Sequence, residues 1–132
     1  MSQADLFRTV PNSDPLSFWS NHGCDYKGVS EFLDLGRNEL SKLAGVSKQS
    51  VRFDEKIPND LRDRLDQIAN TITLVAEYFE GDVRKTSIWF NTPNPALGEI
   101  SPRDMIRFGK YVRLNKFVQQ ARQANLGSGE DR

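Results

Sequence analysis

The most regular run of apolar positions lies in the middle of the chain. Leu61, Leu65, Ile68, Ala69, Ile72, Val75, Ala76 and Phe79 recur at steps of three and four, while Arg62, Asp63, Arg64 and Asp66 fall on the opposite side. That spacing is one face of a helix. Lys56-Ile57-Pro58 interrupts the pattern before it, Asn59 or Asp60 supplies a cap, and Glu80-Gly81 ends it. The pattern predicts a helix over 61–79, about 30 Å long, as the central strut of an all-α protein. An aliphatic stripe at helical spacing is a core element rather than a ligand site.

Shorter apolar groups stand on its amino-terminal side. Ser30 opens a short helix through Phe32, Leu33 and Leu35 that Gly36 ends, and Asn38 opens another from Glu39 to Ala44. Gly45-Val46-Ser47 leads into a third, predicted over 48–54. Leu40, Leu43, Ala44, Val46 and Val51 can share one core, so the last two helices make a helix-turn-helix pattern. Its second helix projects Lys48, Gln49, Ser50 and Arg52 from the half that enters the major groove in this motif. Glutamine pairs with adenine and arginine with guanine. Ser47 and Ser50 reach phosphate or base edges, and Arg37 and Lys42 hold the flanking backbone. The same pattern also suits a helical hairpin used only for packing or self-association.

On the carboxyl-terminal side, Asp82 caps a short amphipathic helix carrying Val83, Thr86, Ile88, Trp89 and Phe90. Asn91-Thr92-Pro93-Asn94-Pro95 stops it, because proline removes a donor and restricts its predecessor. Ser101-Pro102-Arg103-Asp104 restarts a helix with serine at the cap, proline at the first position and a carboxylate at the third. Met105, Ile106 and Phe108 give that helix an apolar face before Gly109. The loop between them is stiff, with Gly98 expected at positive φ and Asn91 and Asn94 expected to bond their own backbone. Trp89 reads as a packing residue more than a contact. Arg103, Arg107 and Lys110 share a helix face, open to an acidic partner, to DNA or to solvent. From Gln119 the helix fades toward Gly-Ser-Gly-Glu-Asp.

The segment 1–28 contains Pro11, Pro15, Gly23 and Gly28 among Asn, Ser and Asp, the composition of an extended arm that Phe7, Leu16, Phe18 and Trp19 pin to the body. The expected organisation is therefore an arm over 1–28, a helix-turn-helix domain over 29–81, a small helical unit over 82–123 and a flexible tail over 124–132.

Composition narrows the chemistry. Hydrophobic residues make up 37% and charged residues 27% of the 132, which is ordinary for a soluble domain. No apolar run approaches a membrane span and the start lacks a signal peptide, so the expected location is cytoplasmic. Cys24 is the only cysteine, which rules out an internal disulfide, and His22 is the only histidine, without ligand-spaced neighbours. Neither a glycine-rich phosphate loop nor a metal cluster nor a Ser/His/Asp set is present, so neither catalysis nor a cofactor is expected. The net charge of zero is unevenly spread: 59–82 sums to −4 and 83–123 to +6. A basic carboxyl-terminal part suits an acidic partner.

Lys85 to Phe90, then Asn91-Thr92-Pro93-Asn94-Pro95-Ala96-Leu97-Gly98, then Ser101-Pro102-Arg103-Asp104-Met105, resembles the toxin-binding domain of the Xre/MbcA/ParS antitoxins. The marks are a tryptophan, an Asn-Pro-x-Leu-Gly loop and a Ser-Pro helix start. The resemblance runs over 29–118, because the helix-turn-helix sits where such antitoxins place their Xre-like domain. It implies a type II antitoxin whose partner is a RES-domain toxin that degrades NAD, and which represses its own operon by binding operator DNA. It also implies a homodimer or a larger toxin–antitoxin complex. The toxin surface expected on this basis is Asn91, Asn94, Leu97 and Gly98 of the loop with Arg103, Arg107 and Lys110 beside it. A stiff loop loses little entropy on docking. One departure is plain: Glu99 stands where the family often has a second glycine. The alternative is a plain helix-turn-helix regulator whose carboxyl-terminal half only dimerises.

Overall fold

The computed structural model describes residues 14–20 and 23–130, with side chains through Ala124. The expected anchor Phe7, and His22, lie outside the described residues. A two-residue antiparallel pair, β1 (Trp19–Ser20) with β2 (Gly23–Cys24), leads into α1 (Tyr26–Phe32) and α2 (Arg37–Ala44). The long helix α3 (Asn59–Tyr78) follows, then α4 (Val83–Phe90), α5 (Pro102–Arg107) and α6 (Tyr111–Glu130). The all-α bundle with a long central helix is as the apolar spacing predicts. The helix begins at Asn59, directly behind Pro58, and buries Leu61, Leu65, Ile68 and Ile72 along the expected stripe.

The other helices gather around α3. α1 and α2 pack on it from the amino-terminal part, and α4 and α6 from the carboxyl-terminal part, while α5 touches both α2 and α6. The buried residues make a single cluster from Phe18 and Val29 through to Leu114 and Val118. An aromatic chain crosses it. Phe32 of α1 meets Phe18 and Phe90 edge-on, each at a ring separation of 6.2 Å, the arrangement that ring quadrupoles favour.

Several boundaries differ from the spacing argument. Asp25, not Ser30, caps α1 through its carboxylate and the Gly28 amide. Ser30 lies inside the helix, buried, donating to the Tyr26 carbonyl. Gly36 rather than Asn38 precedes α2, where Glu39 Oε1 accepts from the Gly36 amide at 2.7 Å. α6 continues to Glu130, past the point where the sequence thins into glycine and serine.

The largest correction concerns the helix expected over 48–54. Only a 3-10 turn forms, Lys48–Ser50, and residues 51–53 run without regular structure. Arg37 explains it: its Nη1 donates at 2.8 Å to both the Lys48 and Val51 carbonyls, drawing the chain back onto the start of α2. Val51 is buried in that pose. Ser, Val, Phe and Asp are also weak helix formers over so short a run.

Because the core is continuous, truncations in its amino-terminal and carboxyl-terminal helices should act on one transition. Leu33→Ala in the α1 turn and Ile106→Ala in α5 each lower the unfolding free energy by about 3 kcal/mol. Far-ultraviolet circular dichroism and Trp fluorescence should give coincident urea curves for both variants. Separate transitions would contradict a shared core.

Candidate partner-binding surface

The residues expected to read DNA are near one another but hold no recognition helix. Lys42, Ser47, Lys48 and Gln49 are exposed at the end of α2 and on the 3-10 turn. Ser47 Oγ and Ser50 Oγ lie 2.8 Å apart and satisfy each other. Arg37 is committed to the two carbonyls named above. Arg52 forms a two-pronged pair with Asp54, Nε to Oδ1 at 2.7 Å and Nη2 to Oδ2 at 2.5 Å. That guanidinium holds the Asp54 carboxyl below its ordinary range. Arg52 therefore meets an aspartate where a guanine was expected.

The loop after α4 is built much as its residues imply. Asp82 Oδ1 accepts from the Lys85 amide at 3.0 Å and starts α4. Asn91 Nδ2 donates to the Ser87 carbonyl, and Asn94 Oδ1 accepts from the Ala96 amide at 2.9 Å. The Asn94 amide donates to the Ile100 carbonyl, closing the loop as a β-bridge around the turn Pro95–Leu97. Gly98 has φ +82°. Glu99, at the place of the family's second glycine, also has positive φ, +66°. A side chain there costs about 1 kcal/mol or more relative to glycine.

Three of the expected contact residues turn inward. Leu97 is buried, 7% exposed, as the apolar plug of the loop. Arg103 reaches across to the end of α1, where its Nε donates to the Leu33 carbonyl and its Nη2 to that of Asp34 at 2.7 Å. Carbonyls at a helix end lack intrahelical donors, and a cation there also meets the negative end of the helix dipole. Arg107 Nη1 lies 3.3 Å from Glu39 Oε2, and its Nε 3.2 Å from Asp104. The Gly36 amide and then Arg107 hold the Glu39 carboxyl below its usual value. Sequence spacing placed these arginines on one helix face correctly, but that face looks onto α1 and α2. Lys110 remains exposed.

Phe108 is exposed beside Arg107, and a further apolar surface lies elsewhere. Tyr78, at the end of α3, is 65% exposed, and Ile88 on α4 is 59% exposed. Beside Tyr78 a groove runs between α3, α4 and α6, lined by Leu74, Phe79, Trp89, Phe117 and Ala121. Arg122 and Glu77 pair across its edge at 3.5 Å. Leu74 with Tyr78 and Phe117 with Ala121 are four-residue pairs that sit off the main stripes, and that displacement is the signal the spacing argument passed over. Cys24 is chemically quiet: burial, and then the carboxylates of Asp66, Asp25 and Asp14, push its thiol up to about 12.

Two outcomes follow from the inward arginines. Arg103→Ala lowers the unfolding free energy by about 2 kcal/mol, since charge-assisted bonds to two carbonyls are lost; Arg103→Lys, which lacks the planar fork, restores only part of it. The Glu39 contribution depends on pH. Its folded value is depressed, so its stabilisation is present above the ordinary 4.5 and is lost as pH falls through the folded value. Urea titrations should therefore show Glu39→Gln less stable than wild type at neutral pH and the gap closing in acid. Glu99→Gly should in turn raise stability by about 1 kcal/mol.

Comparison with known proteins places this geometry. Residues 74–118 match the family described as antitoxin Xre/MbcA/ParS C-terminal toxin-binding domain. The match takes in the end of α3, α4, the loop, α5 and the first half of α6. Among solved structures, a chain of the crystal structure of the M. tuberculosis MbcT-MbcA toxin-antitoxin complex is similar, at 22% identity and a TM-score of 0.44. The similarity covers 71% of this chain and 86% of that one. No curated protein matches the chain. Residues 74–118 thus belong to the family of Xre/MbcA/ParS antitoxin C-terminal toxin-binding domains.

Proposed function

We propose that the chain is the antitoxin of a type II toxin–antitoxin pair, that it binds and inhibits a RES-domain, NAD-degrading toxin, and that it represses its own operon. The observation that carries this reading is the match over 74–118, which falls on Trp89, the Asn94–Gly98 turn and the Ser101-Pro102 start. The RES and NAD parts come with the resemblance of those same residues. In this reading the chain performs no reaction; it neutralises by covering its partner. Among the described residues no helix is long and apolar enough to cross a membrane; the cytoplasmic location belongs to the antitoxin reading.

Operator binding rests on a different base from the one the helix-turn-helix pattern suggested. Lys42 and Lys48 are exposed near Gln49, on a turn rather than on a groove-filling helix. Contacts from such a surface go mainly to phosphates, which fix position and make binding strongly salt-dependent.

The reading requires that the adjacent reading frame encode a RES-domain protein, and the test is growth of a bacterial host making that product with this chain supplied in trans. Wild type at matched soluble level should restore both growth and cellular NAD. Soluble wild type that restores neither would sink the antitoxin reading. Binding to the upstream DNA is measured separately: Lys42→Ala and Lys48→Ala should each reduce the slope of log affinity against log salt by about 1. Absence of binding to that DNA removes the autoregulatory half and leaves neutralisation intact.

A further inference from the structure

We propose that the groove between α3, α4 and α6 is the surface that holds the toxin, and that an apolar segment of the toxin bearing aromatic or leucine side chains enters it. The inference rests on the antitoxin reading and adds the place and chemistry of contact. It begins from where apolar surface is exposed. Trp19 and Phe53 are exposed outside 74–118, whereas Tyr78, Val83, Ile88, Phe108 and Val112 are all exposed within it. A contiguous apolar strip left in water marks an interaction surface, while scattered single residues need no explanation. Of that exposed set only Tyr78 lines the groove, where it stands with the partly buried rings of Phe79, Trp89 and Phe117; Val83, Ile88, Phe108 and Val112 lie outside the lining and count as single residues. The groove lining runs from Leu74 to Ala124, and every member up to Val118 lies inside the family-matched segment.

The chemistry of the lining selects the occupant. Tyr78, Phe79, Trp89 and Phe117 offer aromatic faces, and Leu74 and Ala121 complete the walls. Tyrosine and tryptophan in such a setting are the side chains that dominate protein contacts. Glu77 and Arg122 neutralise each other at 3.5 Å, so the edge carries no unbalanced charge to attract an ionic ligand. Tyr78, 65% exposed, leaves the groove open to one side. Small-molecule sites enclose most of their ligand, so this opening suits a segment of a larger partner. The competing surface is already occupied: a toxin docking on the α5 arginines would have to displace Arg103 from the Leu33 and Asp34 carbonyls and Arg107 from Glu39.

The experiment titrates the full chain with the RES-type product of the adjacent reading frame, inactivated by substitution. In a Trp19→Phe background Trp89 is the sole tryptophan, and its emission should shift on binding. Tyr78→Glu and Ala121→Glu place carboxylates at exposed lining positions and should weaken binding by at least about ten-fold, with unchanged urea midpoints. Val112→Glu, exposed in the same segment but outside the lining, should bind within about two-fold of wild type. If wild type binds and both groove variants bind equally well, the groove is overturned and the antitoxin reading stands. If wild type itself fails to bind, both readings fall together. Should a glutamate variant not fold, Ala121→Cys in a Cys24→Ser chain gives a second readout. Its maleimide labelling should slow by at least about ten-fold when the toxin is saturating, and an unchanged rate overturns the proposal. A change in oligomeric state of the chain alone on Tyr78→Glu would assign the groove to a second copy and overturn it as well.

Discussion

The joint between α1 and α2 is held from a distance of seventy residues, and the rest of the molecule depends on that grip. Helix α1 ends at Phe32, and Asp34 turns with a positive φ of +53° toward Gly36. The turn leaves the Leu33 and Asp34 carbonyls without helical donors. Arg103 supplies them from α5. One turn along α5, Arg107 meets Glu39, whose other oxygen accepts from the Gly36 amide at the start of α2. A single short helix thus closes the end of one helix and the beginning of the next. A planar guanidinium is suited to this, because its donors are fixed in a fork and its charge persists at any ordinary pH.

From that grip follows the division of the surface. The arginines of α5 face inward, so that helix does not present the basic face its spacing suggests, while Arg84, Lys85, Lys110, Arg113 and Lys116 stay exposed elsewhere on the carboxyl-terminal part. Beside them it presents apolar surface: Tyr78, Ile88 and the groove beside Trp89. The stiff loop over 91–98 then acts as a wall. Leu97 anchors it to the core, and Asn94 contributes to the groove lining while it bonds the Ala96 amide. Preorganisation of this kind removes the cost of ordering a loop when a partner docks.

Much local chemistry was legible in the sequence, apart from the caps expected at Ser30 and Asn38 that stand at Asp25 and Gly36, and distant chemistry was not. The caps at Asp82 and Ser101, the positive φ of Gly98 and the long apolar stripe of α3 are all set by neighbours within four residues, and each stands where its residues imply. The helix expected over 48–54 failed because Arg37, eleven and fourteen residues away, takes its carbonyls. Nothing in a linear reading names Leu33 and Asp34 as bonding partners of Arg103, or Glu39 as that of Arg107, so their intramolecular bonds were not foreseen. The groove was missed for a related reason. Its walls come from three helices, and Leu74, Tyr78, Phe117 and Ala121 stand off the stripes that a reading of one helix at a time follows.

The edge-on contact of Phe32 with Phe90 has a consequence for how such proteins diversify. The ring of Phe90 belongs to the family-matched segment, and the ring it packs on belongs to the part before it. Residues 74–118 are therefore not a portable cassette. Grafted behind a foreign amino-terminal head, they would carry Phe90 and the Arg103 fork to a neighbour shaped for neither. A different head would need matching groups for Arg103 and Phe90 around Leu33 and Phe32, so a change on one side of this joint is felt on the other.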